Sequence, residues 1–218
     1  MTSAAQILAA RAWHSALVQT GVRRWANQRR FGPDAPRPAH LFTVPTEAIV
    51  DRYLQSGNNN LRIGHWQTGQ VLPGDWDLST RPFSRSLKFT ACRQHFLNSV
   101  PWDQTKAMEY GLTRISAQGK YDDCRTEADL AARYARLDDL WARSRAAGDL
   151  PPEAAAQTTP RTGILVHITR KGSLLFGNQG FHRLSIAKLA NIPSITVVLG
   201  VVNPLALETA PYKAIWRP

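Results

Sequence analysis

Residues 164–199, ILVHITRKGSLLFGNQGFHRLSIAKLANIPSITVVL, decide the fold class of this chain. Ile164 to Thr169 alternates as a strand, with Ile164, Val166 and Ile168 on one side and His167 left facing solvent or a groove. Lys171-Gly172-Ser173 is a hairpin turn, and Leu174 to Phe176 is the returning strand. Gly177-Asn178-Gln179-Gly180 forms a sharp loop. A helix is predicted over 183–191, with Leu184, Ala187 and Leu189 available to a core. Asn191 suits a left-handed C-cap, and Pro193 forbids continuation. Ile195 to Leu199 reads as a buried strand. Hairpin, glycine-bounded loop, helix and strand in this order predict an α/β (in a stricter sense α+β) domain on a small mixed sheet.

A loop that delivers a helix N-terminus is an anion site by geometry. The first turn presents N–H groups that have no intrahelical acceptor, and the helix dipole favours negative charge there. Gly177 and Gly180 permit backbone conformations closed to other residues and close approach of a ligand. His182 and Arg183 add donors where the anion would sit, and Ser185 adds a hydroxyl one step along.

Upstream, the helix over 126–148 carries Leu137-Asp138-Asp139-Leu140 and Ser144, and Gly148 stops it ahead of the hairpin. Taken with Gly-x-His-Arg (180–183), Ala187, Leu189 and Ile192-Pro193-Ser194-Ile195, the pattern resembles the ParB N-terminal domain and sulfiredoxin over about a third of the chain. The resemblance implies a ParB/sulfiredoxin-like core with added helices. The segment GQVLPGDWD (69–77) would be its first strand and turn, and the region near 83–125 an inserted helical element. It also implies nucleotide-phosphate binding, with ATP or CTP as ligand and Mg²⁺ as the accompanying ion. Phe181 stands where sulfiredoxins carry the reactive cysteine and where ParB proteins carry a glutamate used with CTP. Sulfinic-acid reduction and ParB-type CTP hydrolysis are therefore not expected, and the phosphate grip of Gly180, His182 and Arg183 remains.

Asp75 and Asp77 bracket Trp76 after a Pro-Gly turn. Two carboxylates there could hold Mg²⁺ with nucleotide phosphates or act as a catalytic base; the alternative is a capped turn with Trp76 in the core. In the implied fold this loop lies near the phosphate turn. Arg81 is either a further phosphate contact or merely exposed.

The remaining pattern organises around this centre. A basic N-terminal helix from Ala4 to Arg30 and a Pro-rich linker make up 1–38, the domain 39–203, and a C-terminal tail 204–218. Ile7, Val18, Val22 and Trp25 share one face of that helix, and packing against the domain is the expected arrangement. Leu41–Val44 is a short strand, Thr46–Leu54 a short helix capped by Thr46, Arg62–Trp66 a strand after the Gly57-Asn58-Asn59-Asn60 turn, and Leu87–Leu97 and Gln104–Tyr110 helices, the second capped by Asp103. In the helix over 126–148, Thr126 and Asp129 stand at capping-box spacing, and Leu130, Tyr134, Leu137 and Trp141 lie on one face. Trp66, Trp102 and Trp141 are expected in the core.

The net charge of +11 favours acidic partners: a nucleotide or phosphorylated small molecule, a nucleic acid, or an anionic surface. Of the 27 basic residues 21 are arginines, which biased genome composition also produces. Cys92 and Cys124 have no C-x-x-C or zinc spacing, and His65, His95 and His167 have no metal-ligand spacing, so no metal centre is expected. No apolar run is long enough to span a bilayer. A reducing, cytoplasmic setting fits the two thiols, and the acid-free N-terminus leaves organelle targeting as the alternative. Two functions follow: a nucleotide-phosphate-binding protein, with phosphotransferase or nucleotidase chemistry open, or a non-enzymatic DNA-associated protein using its basic surface.

Overall fold

The computed structural model describes residues 20–55, 63–151 and 163–216. The start of the N-terminal helix, the asparagine turn and most of the Pro-rich 150–160 loop lie outside the described residues. Along the chain run α1 (20–31), β1 (Leu41–Pro45), β2 (Asp51–Tyr53), β3 (Thr80–Pro82), α2 (Leu87–Asn98), α3 (Lys106–Gln118), α4 (Glu127–Ala147), β4 (Leu165–Ile168), β5 (Leu174–Phe176), α5 (Phe181–Leu189), β6 (Ser194–Val202) and α6 (Ala210–Ala214). The strands make one mixed sheet in the order β1-β6-β4-β5-β2-β3. β4 runs parallel to β6 and antiparallel to β5, and β2 runs parallel to β5. The α/β class read from residues 164–199 is what the chain adopts.

Helices cover one face of the sheet. Val166, Ile168, Phe176, Val197 and Leu199 meet Leu184, Ile186, Leu130 and Tyr134 there. The segment 63–79 covers the other face, where Trp76 packs on Tyr53, Leu175 and Val201. This second cover corrects the placement of His167. It points away from the helices, as the alternation required, but its exposure is 0% because 63–79 closes over it.

A β-bulge explains how that ring is accommodated. Val166 pairs with Leu199, yet Ile168 pairs with Val202, so β6 carries one extra residue opposite His167. The irregularity turns the Val201 N–H toward the imidazole, and it donates to Nδ1 at 3.1 Å. Gly200 leaves room for the ring, since a Cβ there would lie 2.0 Å from Nδ1. Burial lowers the His167 pKa to about 3, so the ring is neutral.

Tertiary pairing overrides several local expectations. Thr46–Ala48 is a single 3₁₀ turn, not the start of a helix to Leu54, because Asp51–Tyr53 pairs with both β3 and β5. His65–Gln67 is a 3₁₀ turn where a strand was expected. Of the 69–77 segment, Val71 alone pairs, with Val202. Thr105, not Asp103, caps α3, accepting from the Met108 N–H. The α4 capping box forms as read: Thr126 Oγ1 accepts from the Asp129 N–H, and the Asp129 carboxylate accepts from the Thr126 N–H, each at 3.0 Å.

α1 docks by its polar side. Arg23 donates to the Trp66 and Thr68 carbonyls, and Asn27 to those of Pro36 and Gly69. Val22 and Trp25 are thereby left 61% and 62% exposed, the reverse of the expected docking. Trp66 is also exposed rather than in the core. After β6 the chain folds back, and buried Tyr212 donates to the Asp34 carbonyl at 2.7 Å. Among the described residues no helix is long and apolar enough to cross a membrane.

Gly200→Ala is expected to destabilise the fold by ~3 kcal/mol, the upper part of the range for overpacking, since the new methyl meets the fixed imidazole and the Val166 carbonyl. Equilibrium urea unfolding measures this, and a variant within 0.5 kcal/mol of wild type, roughly the range of a neutral surface change, would contradict the account of the bulge.

Candidate functional site

The turn between β5 and α5 is built by contacts on both sides of the sheet. Gly177 sits over His167, where a Cβ would come within 2.8 Å of Nε2, so this glycine serves packing against the ring. Asn178 takes a left-handed conformation (φ 64°) and donates to the Tyr53 carbonyl at 2.7 Å. Gly180 has φ +86°, and a Cβ there would lie 3.0 Å from Ile164 Cα. Both the dihedral and the close approach require glycine. The chain therefore enters α5 at Phe181, two residues earlier than the apolar pattern suggested.

Among the described residues no side chain caps α5, and its first internal bond runs from the Leu184 N–H to the Gly180 carbonyl at 3.0 Å. The N–H groups of residues 181–183 stand ahead of that bond, at the positive end of the helix. In front of them lies a cleft of about 510 Å³. Lys88 from the first turn of α2, Arg133, Arg136 and Arg143 from one face of α4, and Arg183 line it, with Asp122 and Asp123 from the turn between α3 and α4. Among the described residues, five basic side chains thus face two carboxylates, which makes the cleft electropositive.

His182 lies at the base of this cleft, 7% exposed, its edge toward the Tyr134 ring. Its Nε2 is buried and has no hydrogen-bond partner among the described residues. Burial, then the neighbouring Lys88 and Arg133 charges, lower its pKa to about 3, against a smaller opposing pull from Asp122. Arg183 is held below the usual arginine range by burial and by Arg133. Burial alone would raise the Asp122 pKa, but Lys88, which it contacts, and Arg133, whose Nε is 3.9 Å away, hold it below the ordinary carboxylate value.

Of the residues singled out in the sequence, Gly180, His182 and Arg183 line the cleft together. Ser185 does not: it is fully buried, and its hydroxyl donates to the Phe181 carbonyl at 2.8 Å. Arg81 does not line it either: it is exposed on β3, cross-strand from Arg52. Phe181 packs its ring on Phe83 and Phe176.

Asp75 and Asp77 are elsewhere. β4 and β5 are antiparallel, with Val166 opposite Phe176 and Ile168 opposite Leu174. The loop after Phe176 and the residue Arg170 after Ile168 therefore leave opposite ends of the sheet. Arg170 binds both aspartates, at 2.7 Å to Asp75 and 2.8 Å to Asp77. The Asp77 side chain is 1% exposed and also accepts from Asn203 at 3.3 Å. This is a clasp joining 74–77 to the ends of β4 and β6, remote from the head of α5. The expectation that the two carboxylates lie beside the phosphate turn is overturned.

Lys88, Asp122, Arg133, Arg136 and Arg143 escaped the sequence reading. The α4 arginines recur at i, i+3 and i+10, one helical face, and that was the available signal. Lys88 and Asp122 carried none, because only packing brings them to Gly180. Both cysteines are buried free thiols, and burial pushes the Cys92 thiol up to about 12.

Asp77→Ala is expected to lower the melting temperature by several degrees while leaving any anion affinity of the folded protein unchanged. Thermal unfolding followed by calorimetric titration with ATP checks this, and a selective loss of affinity at full stability would return Asp77 to the site. No protein-family model, no curated protein and no solved structure matches the chain.

Proposed function

We propose that this chain binds the phosphate of a nucleotide at the head of α5, in the manner of a divergent ParB/sulfiredoxin-like protein. The observation that carries the reading is His182: a buried imidazole with no partner at Nε2 among the described residues, lining a cleft where those residues also place five basic side chains. A buried polar atom normally finds a partner, and its absence marks a position that a ligand can complete. The residue types match the ligand. Arginine offers a planar fork to phosphate oxygens, lysine a point charge, and the helix head a set of N–H donors. Phosphoryl transfer needs chiefly such positioning and charge neutralisation, so phosphotransferase or nucleotidase activity remains compatible with this set. Asp75 and Asp77 play no part in it.

Binding should be coupled to a proton. Free His182, with a pKa of about 3, is neutral at pH 7. A bound phosphate brings negative charge to Nε2, favours the imidazolium and raises that pKa, so the complex takes up protons that the free protein lacks. Calorimetric titration with ATP and with CTP, each with and without Mg²⁺, in two buffers of different ionisation enthalpy, measures both quantities. The expected result is saturable binding with proton uptake in wild type and less uptake in His182→Asn. Arg183→Ala and Arg133→Ala should each weaken binding about tenfold or more. Absence of saturable binding to either nucleotide defeats the proposal, and phosphate release in the same samples reports turnover.

A second reading, electrostatic association with nucleic acid, is favoured by a different surface. α1 turns Arg24, Arg29, Arg30 and Trp25 outward, with the Arg29 guanidinium 5.5 Å from the Trp25 ring centre. On this reading affinity for a single-stranded oligonucleotide falls steeply with salt, and an Arg24, Arg29, Arg30→Ala triple variant flattens the slope. Fluorescence anisotropy decides: no binding at low salt removes this function.

A further inference from the structure

We propose that Asp122 is the resident counter-anion of the cleft and that a ligand phosphate binds by taking its place between Lys88 and Arg133. The inference rests on the phosphate-site reading above and names how that site is controlled and what it selects.

Asp122 reaches the cleft from an unusual turn. Tyr121 and Cys124 exchange both backbone hydrogen bonds, at 2.9 and 2.8 Å, so Asp122 and Asp123 form a two-residue hairpin. Their φ angles are +48° and +66°. Such turns favour Asn-Gly or Gly because both central residues take the left-handed conformation, and two consecutive residues with a Cβ are strained there. The strain places one carboxylate in contact with Lys88 Nζ and 3.9 Å from Arg133 Nε. The other carboxylate, Asp123, is exposed at the mouth. Among the described residues, Asp122 is thus the one acidic group set among the inner cations.

As a counter-ion it is incomplete. It satisfies Lys88, but Arg133 Nε and His182 Nε2 are both buried and neither has a hydrogen-bond partner among the described residues. A carboxylate has two oxygens and one negative charge. A phosphate monoester has three free oxygens and up to two charges, and each oxygen accepts more than one hydrogen bond, so it can serve Lys88, Arg133 and His182 and still accept from the N–H groups of α5. Releasing Asp122 also lets the left-handed pair relax toward solvent. The resident carboxylate would then act as a filter: monovalent anions gain too little to displace it, and phosphates displace it.

The test is calorimetric titration of the full chain with inorganic phosphate and with ATP. Asp122→Asn keeps the shape of the turn and removes the charge, and it should bind both probes about tenfold tighter, the size of one exchanged charge interaction. Glu208→Gln, exposed beyond the end of β6 and outside the lining of the cleft, should stay within about twofold. Equal or weaker binding in Asp122→Asn, with Lys88→Ala and Arg133→Ala still defective, overturns the displacement and leaves the phosphate site standing. Failure of wild type and every variant to bind either probe removes the site itself. Should Asp122→Asn fail to fold, the wild-type protein decides alone. Its Asp122 carboxyl ¹³C resonance must shift on saturation with phosphate, and an unmoved resonance refutes the proposal.

Discussion

Three glycines press their backbones against β4: Gly177 and Gly200 against the His167 ring, and Gly180 against Ile164. The remaining geometry follows from these contacts. Gly200 lies in the bulge that lets β6 run beside β4 and past His167, and its carbonyl accepts from the Gly69 N–H at 2.7 Å, fastening the segment that covers the second face. Gly177 ends β5 against the same imidazole. Gly180 then turns the chain through a left-handed conformation, so that α5 starts at once and points its head back toward α2 and α4. A methyl group at Gly200 would reach the ring and one at Gly180 the Ile164 backbone, and the helix head would move relative to the cations that surround it.

The cleft in front of α5 opposes stability. Lys88, Arg133 and Arg183 are partly desolvated near one another, and each cation–cation approach raises the free energy of the folded state. Asp122 relieves part of this from a strained turn. Replacing buried charges by well-packed apolar groups of the same size is often neutral or stabilising, so stability does not account for these cations. The arrangement contrasts with the clasp at the other end of the sheet. There Asp77, Asp75, Arg170 and Asn203 satisfy one another, and the hydrogen bonds to Arg170 hold the Asp77 carboxyl below its usual range against the effect of burial. One cluster is electrostatically closed and joins chain segments; the other, among the described residues, has orphaned donors and an excess of one charge.

The chain's own residues determined much of this architecture locally. Hydrophobic alternation, the Gly172 turn, the glycine-bounded loop, Asn191 with Pro193, and the Thr126–Asp129 cap set β4, β5, α5, β6 and α4 where they are found, because each signal acts over a few bonds. The identity of the α5 head as an anion-favouring position follows from the same local rules. Tertiary structure alone decided the rest. His167 is buried because a segment about a hundred residues earlier covers it; Thr46–Tyr53 becomes a turn and strand because β3 and β5 offer pairing; α1 docks by Arg23 and Asn27 because the carbonyls of 66–69 await them. Lys88, Asp122 and the α4 arginines reach Gly180 only through helix packing, and Asp75 with Asp77 fall at the far end of the sheet because adjacent antiparallel strands send their loops in opposite directions. Side-chain convergence over such separations is a property of strand order and packing, and neither is encoded in any short window of sequence.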